Sequence, residues 1–259
     1  MFEELSGLFK SISSHCVNGK VKEESVLLTD VDGADCSFLL HHFISDYVNK
    51  QKQVILVTLA QSYQHYVVAS SKMSSSSKLI ASPLLNYVDT LSKGPTEYLF
   101  GKDGHILAKD LYTDVSNCAR KLPKGSLEGG VIIIDDLTNL LCVGCPRTEV
   151  SYLVRYLSAL CKQFKCSLVT VIHREISDDT DTDDEITLFD CCRLYFNYEI
   201  MVQGLESGHS KDVHGHLLLT NKQVSSLGRT TYTNAPLKHF KVTDRKLYLF
   251  APGTSSAVL

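Results

Sequence analysis

Apolar runs and helical stripes alternate along most of this chain, and the alternation predicts its elements. Val26–Thr29 (VLLT) reads as a buried strand that gives way to a short Gly-containing loop. A helix is expected over residues 37–50, where Phe38, Leu39, Phe43, Ile44 and Tyr47 fall on one side. The run at 53–59 (QVILVTL) is almost entirely apolar, as strands buried on both faces are. Residues 26–59 therefore form a βαβ unit. A shorter helix follows at 62–73, then the polar run at 74–78 (SSSSK), read as a flexible surface turn. Residues 79–104 show no clear period and are broken by Pro83 and Pro95. Leu107, Leu111, Val115, Cys118 and Leu122 return to helical spacing.

The run at 131–141 (VIIIDDLTNLL) is the strongest strand signal, its apolar part ending in Asp135 and Asp136. Pro146 opens a helix, because the first turn does not need its missing N–H. Val150, Leu153, Val154, Leu157, Leu160, Cys161 and Phe164 continue that helix as an unbroken stripe, and 167–173 (SLVTVIH) is another buried strand. Four strand runs alternating with helices indicate an α/β domain with a mostly parallel sheet flanked by helices. Beyond the acidic segment the texture changes. Runs at 193–202, 213–220, 239–243 and 246–251 are separated by short Gly, Asp and Ser turns. They predict hairpins adding antiparallel strands to one edge of the sheet. No linker or repeat interrupts the pattern, so residues 1–259 are read as a single domain.

Composition narrows the class. The formal net charge of −3 gives no global basic field for nucleic acid. No apolar run approaches the roughly 18 residues of a membrane span. The opening segment, MFEELSGLFKSISSH, is amphipathic and lacks the parts of a secretory signal. Nine cysteines, mostly inside apolar segments, favour reduced thiols and a cytosolic or nuclear setting.

Strand, Gly-containing turn and helix at 26–43 are the setting of a phosphate-binding loop. Laid on G-x-x-x-x-G-K-[ST], however, Asp30 replaces the first Gly, Asp35 the second and Cys36 the Lys; only Ser37 fits. Phosphate binding needs converging N–H groups, a Lys charge and a hydroxyl for the metal. Here Asp30, Asp32 and Asp35 crowd the loop around Gly33 as an acidic rim. Like charges at ~4 Å and an effective dielectric near 20 repel by about 4 kcal/mol per pair. The helix dipole returns only about 0.3–1 kcal/mol at an exposed end. Asp135 and Asp136, closing an apolar strand, occupy the place of the metal-side carboxylate in nucleotide hydrolases, although Asp is also an ordinary turn former. The pair of motifs has an ATPase-like layout without the means to hold ATP, and no cofactor is expected.

Cys142, Cys145, Cys161 and Cys166 approximate zinc-ribbon spacing, but Cys161 lies in a helical stripe and Cys166 abuts a strand, so no metal is expected. Cys36 at a helix start, with His41 and His42, raises a Cys–His hydrolase. Positions five and six residues on, however, point away from the first turn. His173 at a strand end is read as a residue of the sheet edge, with a catalytic base as the other possibility. The run at 178–185 (DDTDTDDE) is read as a solvated loop.

The joint order of DGADCSFLLHHFI, LAQSYQHY, IIIDDLTNLL, KDVHGHLLL and APGTSSAVL resembles the family of sixth subunits of the Elongator complex. The resemblance runs over nearly the whole chain and is looser over 74–130. It implies a RecA-like ATPase fold that has lost its nucleotide motifs. It also implies a hetero-hexameric ring with Elongator subunits four and five, contact of that ring with tRNA, and a catalytic subcomplex that modifies the wobble uridine. A cytoplasmic and nuclear location goes with that role. In such a ring Arg174 is the candidate phosphate ligand of this chain, opposed by the acids that follow it, and pairing with one of those acids is the structural alternative. The expected function is thus a non-catalytic subunit, and the alternative is an active RecA-type nucleotide hydrolase with an atypical loop.

Overall fold

The computed structural model describes residues 24–31, 33–73, 82–90, 107–174, 187–208, 210–224, 229–243 and 247–254. The expected serine-rich turn and acidic segment lie outside them, as do Asp32 and the amphipathic opening segment. In chain order the elements begin β1 (Ser25–Val31), α1 (Phe38–Asn49), β2 (Val54–Thr58), α2 (Tyr63–Met73), β3 (Leu85–Asp89) and α3 (Leu107–Lys121). They continue β4 (Val131–Ile134), α4 (Thr138–Cys142), α5 (Arg147–Phe164), β5 (Ser167–His173) and α6 (Leu188–Arg193). The chain then runs through β6 (Tyr198–Gln203), β7 (Gly215–Val224), β8 (Thr230–Asn234), β9 (Lys238–Val242) and β10 (Leu247–Phe250).

The ten strands of the described residues form one sheet in the order β10-β9-β7-β6-β1-β5-β4-β2-β3, with β8 also paired to β7. Strands β1 to β6 are mutually parallel, and β7 to β10 are antiparallel additions. Alternate residues of each central strand feed opposite faces. Leu27, Ile55, Ile132, Ile134 and Leu168 pack with α3 and α5, whereas Val26, Leu28, Leu56, Ile133 and Val169 pack with α1. Burial on both faces explains why these runs are continuously apolar in the sequence.

Three expectations need correction. The run 193–202, expected in an antiparallel hairpin, divides into the end of α6 and a strand, β6, parallel to β1. A parallel neighbour requires a crossover connection, and α6 lies within it. Thr187 starts that helix by a capping box: its hydroxyl accepts from the Asp190 N–H, and the Asp190 carboxylate accepts from Thr187 N–H. Within 131–141 the strand stops at Ile134, because Asp136 accepts from Thr138 N–H at 2.7 Å and turns the chain into α4. Inside the patternless stretch 79–104 lies a parallel edge strand, β3, whose Leu85–Asp89 pair with β2.

Candidate functional site

The C-terminal ends of β1, β4 and β5 lie side by side at the sheet centre, where parallel α/β proteins place their sites. Asp30 and His173 are register partners on β1 and β5, so their side chains project the same way. The His173 ring bridges two carboxylates: Nδ1 meets Asp30 Oδ1 at 2.7 Å and Nε2 meets Asp136 Oδ2 at 3.5 Å. The Asp136 and Asp30 carboxylates raise His173 to about 10, overcoming the opposing effect of burial. At neutral pH the ring is an imidazolium donating from both nitrogens.

Asp30 does not form part of an open acidic rim. It is 4% exposed, and its second oxygen accepts from Cys36 N–H at 2.9 Å. The carboxylate therefore holds the β1–α1 loop shut from within. Gly33 supplies the turn at φ +69°, and Ala34 N–H donates to Val31 O. Asp35 is exposed, and it accepts from Ser37 N–H at 2.8 Å. An acceptor thus occupies two of the N–H groups, those of Cys36 and Ser37, that a phosphate cradle would present outward.

Asp135 has a different environment. Its carboxylate accepts from the N–H groups of Leu59, Ala60 and Gln61 at 2.6–3.1 Å and from the Tyr66 hydroxyl at 3.1 Å. It fixes the turn from β2 into α2. Burial lifts Asp135 to about 6 against the pull of these four donors, so it is ionised at neutral pH.

Cys36 is fully buried, and its thiol is pushed well above the ordinary range, first by burial and then by Asp30. Such a thiol holds its proton, the opposite of what a nucleophile needs. His41 is also buried and lowered to about 4 by desolvation, and it packs against the rings of His65 and Tyr66. His42, buried in α1, is likewise lowered to about 4 by desolvation. Of the zinc-ribbon candidates, Cys142 is exposed, whereas Cys145, Cys161 and Cys166 belong to the apolar core on the α5 face. Among the described residues no group of three or more His, Cys, Asp or Glu side chains could hold a metal ion.

Arg174 follows the bridge residue. Its Nη1 lies 3.7 Å from Glu199 Oε1, and its guanidinium stacks 4.2 Å over the Phe189 ring. Its described carboxylate partner thus comes from β6; the acids of 178–185 lie outside the described residues. The sequence points to Asp30, Asp135, Asp136 and His173 one by one but not to their pairing. Tyr66, Glu199 and the His173 bridge carry no local signal, because strand order alone makes them neighbours.

A central parallel sheet with helices on both faces and antiparallel strands at one side defines a RecA-like α/β protein. A KaiC-like protein from Pyrococcus horikoshii shares this fold, with a TM-score of 0.56 over 90% of this chain and 92% of that one, at 12% identity. The family model for Elongation complex protein 6 matches residues 2–244. Elongator complex protein 6 of Xenopus tropicalis is 30% identical and that of Homo sapiens 26%, each alignment covering all of both chains. The chain belongs to the Elongator complex protein 6 family.

Proposed function

We propose that this chain is a non-catalytic, structural subunit of the Elongator complex. It packs with subunits four and five in a hetero-hexameric accessory ring that handles tRNA while the catalytic subcomplex modifies the wobble uridine. That work belongs to the cytoplasm and nucleus. The observation that carries the non-catalytic reading is the His173 bridge. The β1–α1 loop, which matches the position of a phosphate loop, is closed from within by Asp30, which takes Cys36 N–H and pairs with His173 beside Asp136. The cluster remains net negative, since Asp30, Asp135 and Asp136 outnumber that one cation, and phosphate is repelled. Family membership supports assembly with other Elongator subunits.

The test has two arms. The full chain is co-expressed with subunits four and five, and the mass of the purified assembly is measured. A three-component ring is expected, with obligate interfaces on the order of 2,000 Å² or more. A stable monomer that ignores both partners overturns the assembly reading. ATP is then titrated into the isolated chain by calorimetry, and no binding is expected. Micromolar affinity that is lost in Ser37→Ala favours the active nucleotide hydrolase instead.

A further inference from the structure

Histidines gather where β7 meets β9, far from the closed bridge. The pairing of these strands is short: Gly215 is opposite Phe240, His216 opposite His239 and Leu217 opposite Lys238. Directly opposed residues project to the same side of a sheet, so the His216 and His239 rings meet. Leu217 and Phe240 take the other side, in the core that packs with α1. Both histidines are half-buried. The Phe250 ring of β10, opposite His239, lies edge-on to it at 5.7 Å.

The His216 and His239 ring centroids are 4.7 Å apart, with their planes inclined at 62°. Two imidazoles that share one metal ion, at bonds of about 2.0–2.1 Å and angles of about 90–109°, place their centroids about 4.5–5.2 Å apart. Imidazole lone pairs lie in the ring plane, so inclined planes let them converge on one ion, which parallel stacked rings do not. His41 and His65, at 6.0 Å, lie outside that range. Nδ1 of His216 is buried and has no hydrogen-bond partner among the described residues. His214 is engaged differently: its Nδ1 accepts from Val242 N–H at 3.2 Å. His239 is held below its ordinary value of 6.5 by burial and then by His216, so it is neutral at pH 7, the form that ligates metals. Lys241, two residues on and on the same side, is paired with Asp212 at 3.1 Å, which offsets its charge.

We propose that His216 and His239 form a two-histidine site for a divalent transition-metal ion of the Zn²⁺ class, and that the bound ion clips β9 to β7. Imidazole nitrogens suit Zn²⁺, Cu²⁺ and Ni²⁺, whereas Mg²⁺ and Ca²⁺ require oxygen ligands. Two protein ligands leave the remaining positions to water, unlike the closed four-ligand site that the cysteine spacing suggested. The site is independent of the proposed role in a ring.

The test titrates Zn²⁺ into the full chain by calorimetry. One ion per chain is expected, and it should raise the thermal midpoint by a few degrees, because an ion that binds only the folded state stabilises it. His216→Gln and His239→Gln are each expected to weaken binding at least tenfold and to remove the shift. Cys142→Ser and His65→Gln, at exposed positions, are the controls and are expected to bind as the wild type does. X-ray absorption of the zinc-loaded wild type should show two imidazole nitrogens and no sulfur, a readout that holds even where a histidine variant fails to fold. No binding by the wild type overturns the inference. So do sulfur ligands, and so does affinity within twofold of wild type in both histidine variants.

Discussion

Asp135 and Asp136 are adjacent in sequence and almost equally buried, at 3% and 4% exposure, yet the fold satisfies them in different ways. Asp135 points toward β2 and takes three backbone N–H groups and a tyrosine hydroxyl. Asp136 turns toward β5, caps the start of α4 and shares an imidazolium with Asp30. The first carboxylate rests on donors that do not titrate below the tyrosine range. The second depends on a partner that carries charge only while protonated. Neighbouring carboxylates at one strand end thus serve the fold by different electrostatics, one insensitive to alkaline pH and one sensitive to it.

The largest break in this comparison is expected from Asp135→Ala. It removes one acceptor from four donors, and unsatisfied donors at a partly buried turn should cost about 3 kcal/mol of stability in urea unfolding. A loss below about 1 kcal/mol would mean that water replaces the carboxylate. Asp30→Ala is expected to cost about 2 kcal/mol, because it strands Cys36 N–H and one face of His173. It should also raise the reactivity of Cys36 toward a thiol reagent, since the carboxylate that opposes the thiolate is gone.

Alkaline pH separates the two carboxylates directly. His173 is raised from 6.5 to about 10 in the folded chain, so the bridge contributes fully below about pH 6.5 and its contribution is lost as pH rises toward 10. The ring is 42% exposed, and solvent screening holds the effect to about 1 kcal/mol. Unfolding midpoints of the wild type are expected to fall across this window relative to those of His173→Gln, which lacks the titrating ring. Parallel profiles for the two proteins would show that the bridge adds nothing. The smallest effect is expected from Tyr66→Phe, which leaves Asp135 three backbone donors and should cost about 0.5–1 kcal/mol in the same unfolding measurement.

What the sequence determined by itself is the parallel core. Strands buried on both faces must be apolar at consecutive positions, and Val26–Thr29, 53–59, 131–134 and 167–173 announce themselves for that reason. The stripe from Val150 to Phe164 likewise predicts α5, whose buried residues are Val150, Leu153, Val154, Leu157, Leu160 and Cys161. The failed phosphate-loop match was also legible, because Cys36 in place of the Lys is read directly from the local sequence. Strand β3 was hidden, since an edge strand buries little and Leu85–Asp89 carries only one buried residue. The direction of β6 was hidden as well: a strand reads the same in either direction, and only the crossover through α6 decides it. Tertiary structure alone decided the fate of the candidate residues. Asp30, Asp136 and His173 are far apart in sequence and meet because β5 sits between β1 and β4. Arg174 reaches Glu199 because β6 joins the far side of β1. Partners of buried charges are chosen by strand order, and strand order is a global balance of packing and connection that no local pattern encodes.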